Sequence, residues 1–232
     1  MQLSSWKKFA FGAALGALAF TTQAQAAPIY NTTVYSLATG GSALTATLPP
    51  PVGAPLQASF TYAGPLNFVN NAAQNSTASG DLNSSFFGAN AAGISGYSGS
   101  GVTAFGNFTT LPNFLNSSGS ASGFQWATLF IFQTVTNTAG MNLSITHDDG
   151  TNIYVDGVQQ AGTFSGPTSV RTELVTLGAG SNLQIVYARE NGTPSILQVT
   201  VPEPMSLALF GTGLVGLGLV GSRRRAKKQM AA

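Results

Sequence analysis

The chain has 232 residues, only 7% of them charged, and contains no cysteine, which excludes a disulfide framework and a thiolate metal site. Ser, Thr, Asn, Gly and Ala dominate, with Val, Ile and aromatics in short runs, a composition that points to all-β structure rather than to charged amphipathic helices. The pI near 9.0 comes from the two ends: between residues 27 and 200 only Arg171 and Arg189 are basic, against six carboxylates, leaving −4 and pointing away from nucleic acid as a partner.

Residues 1–26 read as a secretory signal peptide. Lys7 and Lys8 form the basic start, Phe9 to Phe20 the apolar core, and Ala24-Gln25-Ala26 a small-residue cleavage site. Residues 27–200 then form the expected ectodomain, best supported over 124–200. Ile29-Tyr30, Val34-Tyr35 and Leu44 to Leu48 are apolar islands, and Pro49-Pro50-Pro51 forbids a central strand there, leaving an edge or a loop. Leu56, Ala58, Phe60 and Tyr62 alternate with polar residues, the pattern of a half-buried strand. Residues 70–101 read as long loops with apolar islands at Phe86-Phe87, Ile94 and Tyr97.

From residue 124 the strand pattern is regular. Phe124 to Val135 is a β-rich run containing Trp126, and Met141 to Thr146 alternates into His147-Asp148-Asp149-Gly150. Ile153 to Val155, the turn Asp156-Gly157 and Val158 make a hairpin signal. Leu174 to Leu177, Leu183 to Tyr187 and Ile196 to Val201 are further strands, with Arg189 to Pro194 a loop and Arg171 and Glu173 on a solvated strand face. Short strands with turn signals between them predict a single antiparallel, jelly-roll-like β-sandwich.

The Asp148-Asp149 pair has two readings. Adjacent carboxylates repel unless a cation lies between them, and oxygen ligands suit a hard ion such as calcium; Asp residues also cap turns in solvated loops. His147, the only histidine, reads as a loop residue hydrogen-bonding near the pair, with metal ligation or general-base chemistry as its alternative.

After the ectodomain, Val201-Pro202-Glu203-Pro204 precedes an uncharged stretch over 205–221 and a basic tail over 223–228 that includes Arg223, Arg224 and Arg225. Seventeen uncharged residues stand at the lower limit for a membrane-spanning helix, and the basic tail would hold the C-terminus in the cytoplasm.

Residues 201–228 resemble the PEP-CTERM sorting signal of Gram-negative bacteria through Pro202, Glu203 and Pro204, the Gly/Leu-rich span and the Arg-rich end. The resemblance implies recognition by an exosortase, export to the cell surface or extracellular matrix, and single-pass anchoring by the C-terminal helix, transient or retained.

Phe124 to Val201 resembles a second family. A Trp-containing strand, Asp-Asp-Gly-x-x-x-Tyr-x-Asp-Gly, a Gly-Ala-Gly turn and a strand ending in Tyr are similar to the protective-antigen-type β-sandwich, which includes the lectin domains of fungal flocculins. In its sugar-binding members an Asp pair joined by a cis peptide holds calcium together with an Asn from a later loop. Carried over, Asp148, Asp149 and Asn191 are the calcium ligands, with carbonyls near Thr193 and Ser195 completing the shell. Tyr154, Phe164 and Tyr187 are the aromatic side chains available to stack on a sugar, although each also suits a core position.

No Gly-x-Ser-x-Gly elbow, His-Glu-x-x-His or phosphate-binding loop occurs, so an enzyme is the weakest class. Two functions remain. One is a surface or matrix protein that binds exopolysaccharide or another glycan through calcium, and the other is a structural matrix component with no specific ligand.

Overall fold

The computed structural model describes residues 28–40, 44–71, 81–120, 125–135, 141–180 and 182–201. The expected signal peptide over 1–26, the uncharged stretch over 205–221 and the basic tail over 223–228 lie outside them. No helix among the described residues is long and apolar enough to cross a membrane.

In chain order the strands are β1 (Ile29–Ala38), β2 (Leu56–Ala63), β3 (Asn67–Asn70), β4 (Asp81–Leu82), β5 (Ile94–Gly99), β6 (Val102–Thr103), β7 (Gly106–Asn107), β8 (Ser118–Ser120), β9 (Trp126–Thr134), β10 (Asn142–Asp148), β11 (Thr151–Val155), β12 (Val158–Gln159), β13 (Arg171–Thr176), β14 (Leu183–Arg189) and β15 (Ser195–Thr200). Two short helices, α1 (Asn83–Phe87) and α2 (Leu111–Leu115), lie in the first half, with a 3₁₀ segment over Gly88–Gly93.

Seven strands form one antiparallel sheet in the order β12-β11-β14-β9-β1-β2-β5, and four form a second in the order β13-β10-β15-β3. Their inner faces enclose one core, to which Phe68, Leu143, Ile145 and Leu197 come from the smaller sheet and Phe60, Phe130, Phe132 and Ile185 from the larger. This is the predicted antiparallel sandwich. β10 and β11 alternate apolar side chains inward and join different sheets, so Asp148-Asp149-Gly150 is one of the chain's crossings between layers.

Aromatic rings fill the centre. The Phe68 centroid lies 4.9 Å from Phe87, 5.1 Å from Phe86 and 5.2 Å from Tyr62, distances at which edge-to-face and tilted ring pairs attract. The islands at Phe86, Phe87, Ile94 and Tyr97 are therefore core residues: α1 carries the first two inward, and β5 pairs with β2.

A second, smaller cluster covers the outer face of the large sheet. Leu44 and Ala46 lie on Ala127, Leu129, Ile131, Tyr154, Val186 and Ala188. Leu44 to Leu48 is thus an extended strap rather than a strand. The cis Leu48–Pro49 bond follows it, in the loop expected from the proline run.

Candidate metal centre

The site is built where β10 hands over to β11. Inward alternation along β10 buries Leu143, Ile145 and His147, and the peptide joining Asp148 to Asp149 is cis. Both carboxylates are buried, Asp148 at 5% and Asp149 at 6% exposure. Gly150 is required by packing, because a Cβ there would lie 2.0 Å from the Ser165 carbonyl oxygen. That approach lets the 160–170 loop lie over the pair, with Thr151 N donating to Phe164 O at 2.8 Å.

His147 orients the crossing from below. It is a fully buried strand residue rather than a loop residue, and its Nδ1 lies 2.5 Å from Asp149 O. Its Nε2 is 3.3 Å from Glu173 Oε2, at ion-pair distance but outside hydrogen-bond geometry. Glu173 also pairs with Arg171 at 3.0 Å and accepts from Phe164 N at 2.9 Å. Only 9% of the Glu173 side chain is exposed, so the solvated face expected for Arg171 and Glu173 holds for Arg171, whose side chain is 43% exposed, and is corrected for Glu173; Arg171 lies 4.5 Å above the Phe164 ring.

Opposite the pair stands the loop after β14. Glu190 N donates to Asp149 Oδ2 at 2.9 Å, which brings Asp149 against the residue next to Asn191. Asn191 holds a left-handed backbone at φ 57°, a conformation Asn tolerates better than most residues. Thr193 is buried in the same loop and Ser195 at the start of β15, and Thr193–Pro194 is cis. The predicted members Asp148, Asp149 and Asn191 are therefore gathered at one end of the sandwich.

Tyr154 is not brought there. Its ring lies in the cluster under the strap, on the outer face of the large sheet, and its hydroxyl accepts from Leu48 N at 3.2 Å. Tyr187 is fully buried, stacked on Phe86 with centroids 5.5 Å apart, and its hydroxyl donates to Asp148 O at 2.5 Å. It supports the crossing from the core. Of the three aromatic candidates, Phe164 alone is exposed, at 39%.

Glu190 is the group that sequence reasoning passed over. It is 1% exposed; its Oε2 accepts from Leu44 N at 2.7 Å, and its Oε1 has no hydrogen-bond partner. Its rarity as a carboxylate in a charge-poor chain was the available signal. Burial raises Glu190 to about 7, partly offset by the Leu44 amide. Burial is also the main cause that raises Asp149 to about 8, with the Glu190 amide opposing and the Asp148 and Glu190 charges adding to it. Asp148 is raised by burial against the opposing effects of a hydrogen bond from Asp149 and the charge of His147.

The nearest buried cation is already committed. Arg189 Nε donates to Asp81 Oδ2 at 2.8 Å and Nη1 to Asn83 Oδ1 at 2.7 Å; Ser195 Oγ donates to the same Asp81 oxygen. Asp148, Asp149 and Glu190 thus lie buried close to one another, and among the described residues no Lys or Arg pairs with any of them, an arrangement in which like charges disfavour full ionisation. The chemistry fits a hard divalent ion: carboxylate, amide and carbonyl oxygens, with one buried carboxylate oxygen unpartnered. Among the described residues no group of three His, Cys, Asp or Glu side chains is arranged to hold a metal by itself, so such an ion needs the Asn191 amide and backbone oxygens as well.

Residues 200–225 match the PEP-CTERM protein-sorting motif. This bears out the resemblance drawn from Pro202-Glu203-Pro204. No curated protein matches the chain. Among solved structures, a PA14 sugar-binding domain from an RTX adhesin is similar at 17% identity, covering 75% of this chain and 88% of that one with a TM-score of 0.45. The PA14 domain of an antifreeze protein is similar at 13% identity, covering 79% and 88%, also with a TM-score of 0.45.

Proposed function

We propose that this is an exported protein, processed by an exosortase and displayed at the cell surface or in the extracellular matrix, whose sandwich binds glycan through a calcium ion. The observation that carries the site is the burial of Asp148 and Asp149, paired with no Lys or Arg among the described residues, beside the Asn191 loop. Two adjacent carboxylates out of water are costly unless a cation replaces their solvation. In this reading Asp148, Asp149 and Asn191 hold the ion, with loop carbonyls near Thr193 and Ser195 beside them. A bound calcium would offer open coordination positions to vicinal sugar hydroxyls. His147, Tyr187 and the Glu190 amide hold the pair in place, and Phe164 is the exposed ring that could stack on a sugar beside it.

The test is a glycan array probed with the protein in calcium and in EGTA, beside the Asp148→Asn/Asp149→Asn double variant. Binding that needs calcium and disappears in the variant is expected. Binding unchanged by EGTA or by the variant would reject the calcium route. A second reading, a structural matrix component, is favoured by the fact that Asp149 already has a protein partner in the Glu190 amide; an array silent in both conditions supports it.

A further inference from the structure

The two ends of the sandwich differ in charge. Through the strand registers, Asp148, Arg171, Arg189 and Ile196 share one pole: Asp148 pairs with Ile196, His147 with Arg171, and Arg189 with Thr128. Asp149 and Glu190 adjoin them, Glu173 reaches His147, and Asp81 is locked to Arg189. Every charged side chain between residues 28 and 201 except Asp156 therefore belongs to this pole.

The opposite pole is different. Thr134 pairs with Leu183, Ile29 with Ala63, and Val155 with Val158, so the strand ends gathered there carry Ile29, Val135, Val158 and Val201. These aliphatic side chains are 60%, 78%, 65% and 55% exposed; Leu56 and Val170 are exposed at the charged pole as well, so what sets this pole apart is its scarcity of charge and not its aliphatic surface. Asp156, at the tip of the β11–β12 hairpin, is the one charge.

Strand β15 sets the direction of the tether. It starts at Ser195 on the charged pole and ends at Thr200 on the neutral one, held between β10 and β3. The sorting motif begins at residue 200, and Val201 alone separates the end of β15 from Pro202. The chain therefore leaves the neutral pole with almost no spacer before the uncharged stretch over 205–221.

We infer that the neutral pole, with Ile29, Val135, Val158 and Val201, rests against the lipid bilayer that receives the C-terminal span, and that the carboxylate pole is held facing away from it. Exposed aliphatics without charge suit the interface of a membrane, where buried charges would be costly. The carboxylate pole stands about 30 Å away, the length of a nine-residue strand such as β9. The inference rests on strand direction, charge and the sorting motif, and it holds whether or not calcium binds.

The absence of cysteine makes the test direct. The full chain carrying Val135→Cys or Ala38→Cys is labelled with an environment-sensitive thiol dye. It is then reconstituted into vesicles of phosphatidylethanolamine and phosphatidylglycerol doped with a nitroxide-labelled lipid, without calcium. Ala38 pairs with Trp126 at the charged end of β9 and is exposed, as is Val135 at the other end; Ile29→Cys replaces Val135→Cys should that variant misfold. The expected result is loss of fluorescence at position 135 or 29 and none at 38. Equal quenching at both poles, stronger quenching at 38, quenching at neither, or failure of the chain to enter vesicles would overturn the inference.

Discussion

Asp149 and Glu190 are carboxylates that the fold keeps from ionising easily. Burial raises them to about 8 and about 7, above the roughly 4 of the same groups in an unfolded chain. The folded state therefore holds extra protons between those values. Stability from this source is fully present below the unfolded pKa and is lost as pH rises through the folded one. In chelator, the protein is expected to melt lower at about pH 8.5 than at about pH 5, and calcium should raise the melting temperature more at the higher pH, because protons no longer compete for the site. Thermal melts at the two pH values, with calcium and with EGTA, check this. A melt that rises with pH in chelator would contradict it.

At the scale of elements, the site depends on a long-range clamp. Arg189 ends β14 and reaches Asp81 and Asn83, and its guanidinium lies 4.9 Å above Phe86. This clamp fixes β4 and α1 against the strand that leads into the Glu190–Asn191 loop. Arg189→Ala leaves Asp81 buried without its cationic partner and is expected to cost about 3–5 kcal/mol, read as a lower urea midpoint.

The same elements mark what the sequence could show. Alternation placed β2, β10 and β14 well, and Asp156-Gly157 placed the hairpin, because those signals are local. Strand β1 lies centrally between β9 and β2, yet its inward row includes Thr32 and Ser36, at 1% and 2% exposure, which break the apolar alternation. The pairing of Asp81 with Arg189 spans 108 residues, and the contact of Leu44 with Glu190 spans 146; no local pattern encodes either. The paired carboxylates and Asn191 were legible as motif residues, whereas Glu190 and Tyr187 acquire their roles only through packing. Tyr154 matched by spacing but is placed on the other face of its strand's sheet.

For the whole molecule, β15 joins the sandwich to its sorting signal. It is an inner strand of the four-stranded sheet, so it belongs to the folded body, while Val201 is exposed and makes no part of the core. Ending the chain after Val201 is expected to leave the melting temperature of the sandwich unchanged and to abolish surface retention. Ending it after Pro194 removes β15, including Ile196 and Leu197, which are buried, and is expected to prevent cooperative folding. Circular dichroism melts and surface labelling of cells expressing the two truncations separate these outcomes.

The central claim is that a buried carboxylate pair at the head of the sandwich is completed by calcium. Isothermal titration of calcium into the metal-free protein tests it most directly. The account predicts binding of one ion per chain, abolished by Asp148→Asn/Asp149→Asn in a variant that melts no lower than the parent in EGTA. No heat of binding, or the same isotherm in parent and variant, would contradict it.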